Sequence, residues 1–174
     1  MMVAARHPGL VSRVMVVDMV PFLGALFAGP AATPQSLAPI AAQMRQGIAS
    51  ASGDARRARI EETIAGMVRT EAMRPVAVRD SLESDPGVSG AAMAELITTD
   101  LRPELANIRV PLTVLWVRPP SAPVSEEQMA AFYASAFANA PQARVVRVPD
   151  SYHFIMWDAP EAFRRELAAF LAAR

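Results

Sequence analysis

Pro149-Asp150-Ser151-Tyr152-His153-Phe154 and, two residues on, Trp157-Asp158-Ala159-Pro160-Glu161-Ala162-Phe163 form the stretch on which the fold turns. Before it, Ala143 to Val148 is a run of strand length carrying the β-branched Val145, Val146 and Val148. After it, Asp158 with Glu161 reads as the cap of a closing helix whose apolar face is Phe163, Leu167, Phe170 and Leu171. Strand, histidine-bearing loop and helix therefore follow one another within thirty-one residues, 143 to 173. From the residues alone, His153 among Tyr152, Phe154 and Trp157 is either a partly buried packing group or a reactive one.

Moving outward, Leu112-Thr113-Val114-Leu115-Trp116-Val117 is a second strand, entered through Pro111. Ser125 and Gln128 make a capping box for a helix with Met129, Phe132, Tyr133, Ala136 and Phe137 on one face. Near the start, Arg13-Val14-Met15-Val16-Val17-Asp18 is a continuous apolar strand of the kind that lies inside a parallel sheet covered on both faces. Met1 to Arg6 reads as the end of a helix closed by His7-Pro8-Gly9, which makes His7 a surface-turn residue. From Pro21 to about Asn107 the pattern is helical: Thr33-Pro34 opens one helix, Asp54 a second and Asp85-Pro86 a third. Strand, helical insert, strand, helix, strand, loop and helix is an α/β order with parallel strands.

Composition narrows the function classes. Of 174 residues, 52% are apolar and 20% charged, so the chain can fill a core and lacks the signature of disorder. Seventeen basic and seventeen acidic residues cancel, and no stripe gathers the basic ones, which argues against nucleic acid as a partner. Asp18, Pro21, Gly24 and Pro30 interrupt the most apolar segment, so membrane insertion is not expected. No cysteine is present and the two histidines stand far apart in sequence, which leaves no local metal-binding spacing. No cofactor is implied.

The histidine stretch resembles the catalytic-histidine loop of the α/β-hydrolase superfamily. Three further stretches agree in order: Ala5-Arg6-His7-Pro8 into Val14 to Asp18, Asp100 to Pro111, and Leu112 to Phe137. The resemblance implies a partial α/β-hydrolase fold: a short parallel sheet with helices in residues 1–21 and 108–174, and an inserted all-helical lid in residues 22–107. It also implies covalent catalysis by a nucleophile in a G-x-S-x-G turn, with a histidine base and an orienting carboxylate. On that basis His153 is the general base, and Asp18, at the end of the strand that would follow the nucleophile helix, is its carboxylate. The nucleophile turn would precede Met1, so the chain is expected to be N-terminally truncated and inactive by itself.

Several other residues are candidates for the missing roles. Gly87-Val88-Ser89-Gly90-Ala91 mimics the nucleophile motif, but Asp80 to Pro86 before it is no buried strand, and Ser89 is read as a helix residue. The loop Arg118 to Val124 holds no carboxylate, Glu126 is a first-turn helix charge, and Asp150 suits a turn. Met19, Phe22, Leu23, Phe27, Met44, Met67, Met73 and Met93 supply apolar bulk for a pocket or a core. The expected activity is hydrolysis of an ester, lactone or similar bond of a small apolar molecule. The alternatives are a haloalkane dehalogenase-like enzyme with an aspartate nucleophile, or a non-catalytic remnant serving as a binding module. Compartment is left open, cytoplasmic by default, since an export signal could lie upstream of Met1; oligomeric state is open too.

Overall fold

The computed structural model describes residues 1–172 of the chain. In chain order its elements are α1 (Met2–Arg6), β1 (Val14–Val17), α2 (Gly24–Ala28), α3 (Pro34–Ala49), α4 (Gly53–Met67), α5 (Arg74–Glu83), α6 (Pro86–Thr98), β2 (Leu112–Trp116), α7 (Glu126–Ala136), β3 (Ala143–Arg147), α8 (Ile155–Asp158) and α9 (Pro160–Ala172). Short 3-10 turns occupy Glu71–Met73 and Pro103–Asn107. The described residues divide into two compact units: residues 1–21, 67–69 and 101–172 form the first, and residues 22–66 and 70–100 the second.

The first unit holds a parallel sheet in the order β1-β2-β3. Its register pairs Val14 with Leu112 and Leu112 with Ala143, so alternate side chains from three strands sort onto two faces. On one face Val16, Val114 and Trp116 pack with Ala4, Ala5, Leu105, Tyr133 and Phe137. On the other, Leu115 and Val117 pack with Val148, Ile155 and the partly buried Met15, Val146 and Phe163. Every residue of β2 is buried, as a central strand covered on both faces must be. Full burial of each large apolar side chain there contributes about 1.5–3 kcal/mol, which is why the strand reads as an unbroken apolar run.

Ser125 caps α7 as its sequence predicts: its hydroxyl accepts from the Gln128 amide at 3.2 Å, and its own amide donates to Gln128 Oε1 at 2.7 Å. The C-terminal helix differs from expectation. It is broken into α8 and α9, with Asp158 ending the first piece. The Asp158 carboxylate reaches back, accepting from the amides of Tyr152 at 2.9 Å and Arg69 at 3.0 Å.

The second unit is entirely helical. Thr33 caps α3 reciprocally with Ser36, and the Asp85 carboxylate caps α6 by accepting from the Val88 amide at 2.8 Å. Asp54 lies inside the first turn of α4, where its charge complements the helix dipole, because the helix starts one residue earlier at Gly53. Two helices, α2 and α5, were not individually marked by the sequence. Helix α5 carries one buried residue, Ala77, so its apolar face is too narrow to stand out. Its end is finished by Arg56, whose guanidinium donates to the carbonyls of Ser81, Leu82 and Ser84 at 3.0, 3.0 and 2.8 Å. Helices α3 and α6 approach closely at Gly90, where an added Cβ would lie 2.6 Å from the Arg45 carbonyl oxygen.

Among the described residues, no helix is long and apolar enough to cross a membrane.

Candidate active site

Parallel strands bring their carboxyl ends to one side of a sheet, the usual seat of chemistry in such folds. Here Asp18 follows β1, Val117 follows β2, and the loop bearing His153 follows β3. The Asp18 amide still donates to the Leu115 carbonyl at 2.8 Å, prolonging the ladder by one residue. Its backbone then turns into the left-handed region at φ 48°, which aspartate tolerates better than most residues. The Asp18 side chain is 13% exposed.

Each carboxylate oxygen of Asp18 has a defined use. Oδ1 accepts from the Val117 amide at 3.1 Å and from the Tyr133 hydroxyl at 3.1 Å. Oδ2 lies 2.8 Å from His153 Nδ1. A carboxylate only accepts hydrogen bonds, so the proton in this contact sits on Nδ1, which leaves Nε2 of a neutral imidazole with its lone pair. The structure thus brings Asp18 and His153 together, across 135 residues of sequence.

The histidine loop is held from several directions. Asp150 also has a positive φ, 55°, and its carbonyl accepts from Arg69 Nη1 at 2.9 Å. Ser151 is buried, and its hydroxyl donates to the Tyr152 carbonyl at 2.9 Å. The Phe154 amide donates to the Met67 carbonyl at 3.2 Å. The His153 ring stands edge-on to Phe154, at 5.7 Å and 81°, and Phe154 stacks on Trp157 at 4.7 Å. These aromatics therefore pack around an imidazole that remains about one-third exposed.

The other weighed residues fall elsewhere. Ser89 lies within α6, its hydroxyl donating to the Asp85 carbonyl four residues back, and Gly90 beside it serves the helix crossing described above. Glu126 is in the first turn of α7 and pairs with Arg147 at 2.8 Å. His7 is exposed at the end of α1. Of the eight apolar residues singled out for a pocket, Phe22 is fully buried, and Met93 lines a 300 Å³ hollow in the helical unit with Ile48, Ile60 and Ile64. A 770 Å³ hollow in that unit is lined largely by arginines and glutamates, among them Arg57, Glu61 and Arg74. Among the described residues, no group of three or more His, Asp or Glu is placed to hold a metal ion.

Tyr133 escaped the sequence reading, which placed it on an apolar helix face. The phenol is 5% exposed and stacks on Trp116 at 5.4 Å. Burial, then the Asp18 charge and the hydrogen bond to it, push its ionisation well above the ordinary tyrosine value. A buried tyrosine hydroxyl needs an acceptor, and that need was the one available signal. The Val117 amide left no sequence signal, being backbone.

No family model and no curated protein sequence matches the chain. Solved structures match nearly all of it. An enol-lactonase from Burkholderia xenovorans LB400 is similar with a TM-score of 0.66 at 20% identity, over 97% of this chain and 59% of that one. A hydrolase from Pseudomonas aeruginosa PA01 gives 0.74 at 18% identity, over 99% and 60%. This is part of an α/β-hydrolase fold. MenH from S. aureus gives 0.70 at 16% identity, over 97% and 62%. The chain thus spans between 59% and 62% of the length of these three α/β-hydrolase-fold structures. At such identities the likeness speaks for the fold, and chemistry must be argued from the site.

Proposed function

We propose that this chain carries the acid–base half of a hydrolase that cleaves an ester, lactone or similar bond of a small apolar substrate. The observation that carries the reading is the 2.8 Å contact between His153 Nδ1 and Asp18 Oδ2 at the carboxyl ends of the strands. In this reading His153 Nε2 takes the proton of a nucleophilic hydroxyl as that oxygen attacks the carbonyl carbon. The proton then passes to the departing alkoxide, leaving an acyl-enzyme. Water, deprotonated by the same nitrogen, attacks the acyl carbon; the bond to the nucleophile's oxygen breaks, that oxygen takes the proton back from the imidazolium, and the acid is freed. Asp18 holds the ring in the useful tautomer and offsets the positive charge of the imidazolium. In this reading the nucleophilic hydroxyl is not among residues 1–174, and the helical unit serves as a lid.

A second reading is a non-catalytic module of the same fold. One observation favours it: the chain spans only 59% of the enol-lactonase it matches.

The deciding experiment reads the coding DNA upstream of Met1, expresses the full open frame, and assays an aryl acyl ester and an aliphatic lactone. The expected result is an apolar strand followed by Gly-x-Ser-x-Gly and a turnover abolished by His153→Ala. An aspartate in the serine position, with haloalkane turnover, would move the assignment to a dehalogenase. An in-frame stop with no such strand would establish the module reading.

A further inference from the structure

We propose that Tyr133 is a positioning residue for the Asp18–His153 pair, fixing which carboxylate oxygen the histidine meets. The inference rests on the acid–base reading above and assigns to α7 a part in it. A carboxylate offers about four acceptor directions on two equivalent oxygens, and rotation about its Cβ–Cγ bond exchanges them. At Asp18 that symmetry is broken. The Val117 amide and the Tyr133 hydroxyl both donate to Oδ1, each at 3.1 Å, and Oδ2 is left to His153.

The two Oδ1 donors differ in kind. The amide belongs to backbone at the end of β2, so no side-chain substitution removes it. The hydroxyl is carried by a buried ring that stacks on Trp116 at 5.4 Å and meets Phe132 edge-on at 5.9 Å. A ring held in that way cannot swing its hydroxyl elsewhere without opening the core, so the donor is preset. Its ionisation lies well above the ordinary tyrosine value, so the group remains a donor at neutral pH. Loss of the hydroxyl leaves Oδ1 with one donor, frees the carboxylate to rock, and weakens its hold on the Nδ1 proton.

The chain is well suited to the test because it has two histidines and two tyrosines. The 174-residue protein, labelled with 15N-histidine, is examined by long-range 1H–15N correlation at a pH where the rings are neutral, with exposed His7 as internal reference. Wild type is expected to show His153 as the Nδ1–H tautomer, and Asp18→Asn to abolish that preference. Tyr133→Phe is expected to lower the ratio of Nδ1–H to Nε2–H forms about fivefold, the worth of one ordinary hydrogen bond. Phe137→Leu, a packing change in the same buried cluster, is expected to leave the ratio unchanged.

An unchanged ratio in Tyr133→Phe, with Asp18→Asn still effective, would overturn the Tyr133 inference and leave the acid–base reading intact. Indifference of His153 to Asp18→Asn would overturn that reading itself. Where Tyr133→Phe fails to fold, 3-fluorotyrosine replaces it. That substitution keeps the ring and strengthens the donor, so the His153 Nδ1 signal must move; a fixed signal would refute the inference equally.

Discussion

The strand-bearing unit and the helical unit are built on different principles. In the first, β2 is buried from Leu112 to Trp116 and apolar side chains cover both of its faces. In the second, α4 and α5 each bury a single residue, Ile64 and Ala77, and the unit is finished by caps and by the Arg56 guanidinium. Asp18 and His153 belong to the first unit, and the two hollows described above belong to the second. The contrast places the close contact between Asp18 and His153 in the part with little freedom to relax.

Substitutions can break that contrast or sharpen it. The largest effect is expected from Asp18→Asn in the proposed hydrolase: kcat on an aryl ester should fall about 10³–10⁴-fold, because an amide can stabilise the wrong tautomer of His153. Next, Leu115→Ala should lower the stability of the sheet unit by about 3 kcal/mol in denaturant titration, since Leu115 is fully buried in a close-packed layer. Gly90→Ala should cost the helical unit about 1–3 kcal/mol, read by the same titration, because its methyl meets the Arg45 carbonyl at 2.6 Å. A cost as large as that of Leu115→Ala would show the helical unit to be as tightly packed as the sheet.

Alkaline pH offers a smaller and more selective probe. The Tyr133 phenol ionises at higher pH in the folded chain than the ordinary value of 10.0, with burial the main cause. Folding then retains a proton that the unfolded chain releases, so this contribution is complete below pH 10 and is lost as pH rises through the folded value. Stability should fall by about 1.4 kcal/mol per pH unit above 10, and Tyr133→Phe should remove that slope. At the small end, Arg57→Ala should change stability by no more than about 0.5 kcal/mol, because its 3.9 Å pair with Glu61 is exposed on both sides.

The sheet was legible because β2 is buried on both faces and therefore reads as an uninterrupted apolar run. The caps at Thr33, Asp85 and Ser125 were legible because a capping side chain and its helix are local. Helix α5 was not, since its sequence carries little periodicity and its end is completed by Arg56, 25 to 28 residues away. At Asp158 the helix boundary was legible but the long-range tie was not: its carboxylate accepts from the amides of Tyr152 and of Arg69, 89 residues away. His153 and Asp18 were singled out through the resemblance, which matches their places after strands; from the residues alone each also suited a structural role. Tyr133 could not be singled out, because its role depends on a partner 115 residues distant.

The left-handed backbone at Asp18 has an evolutionary consequence. One base change converts an aspartate codon to asparagine, glycine, glutamate, alanine, valine, histidine or tyrosine. Asparagine and glycine are the ones at ease with φ 48°, and neither carries a charge. Glutamate keeps the charge but must carry a longer arm through an unfavourable turn. No single mutational step leads to another acid at this position without strain, so a lineage that loses this carboxylate must recruit a replacement from a different loop.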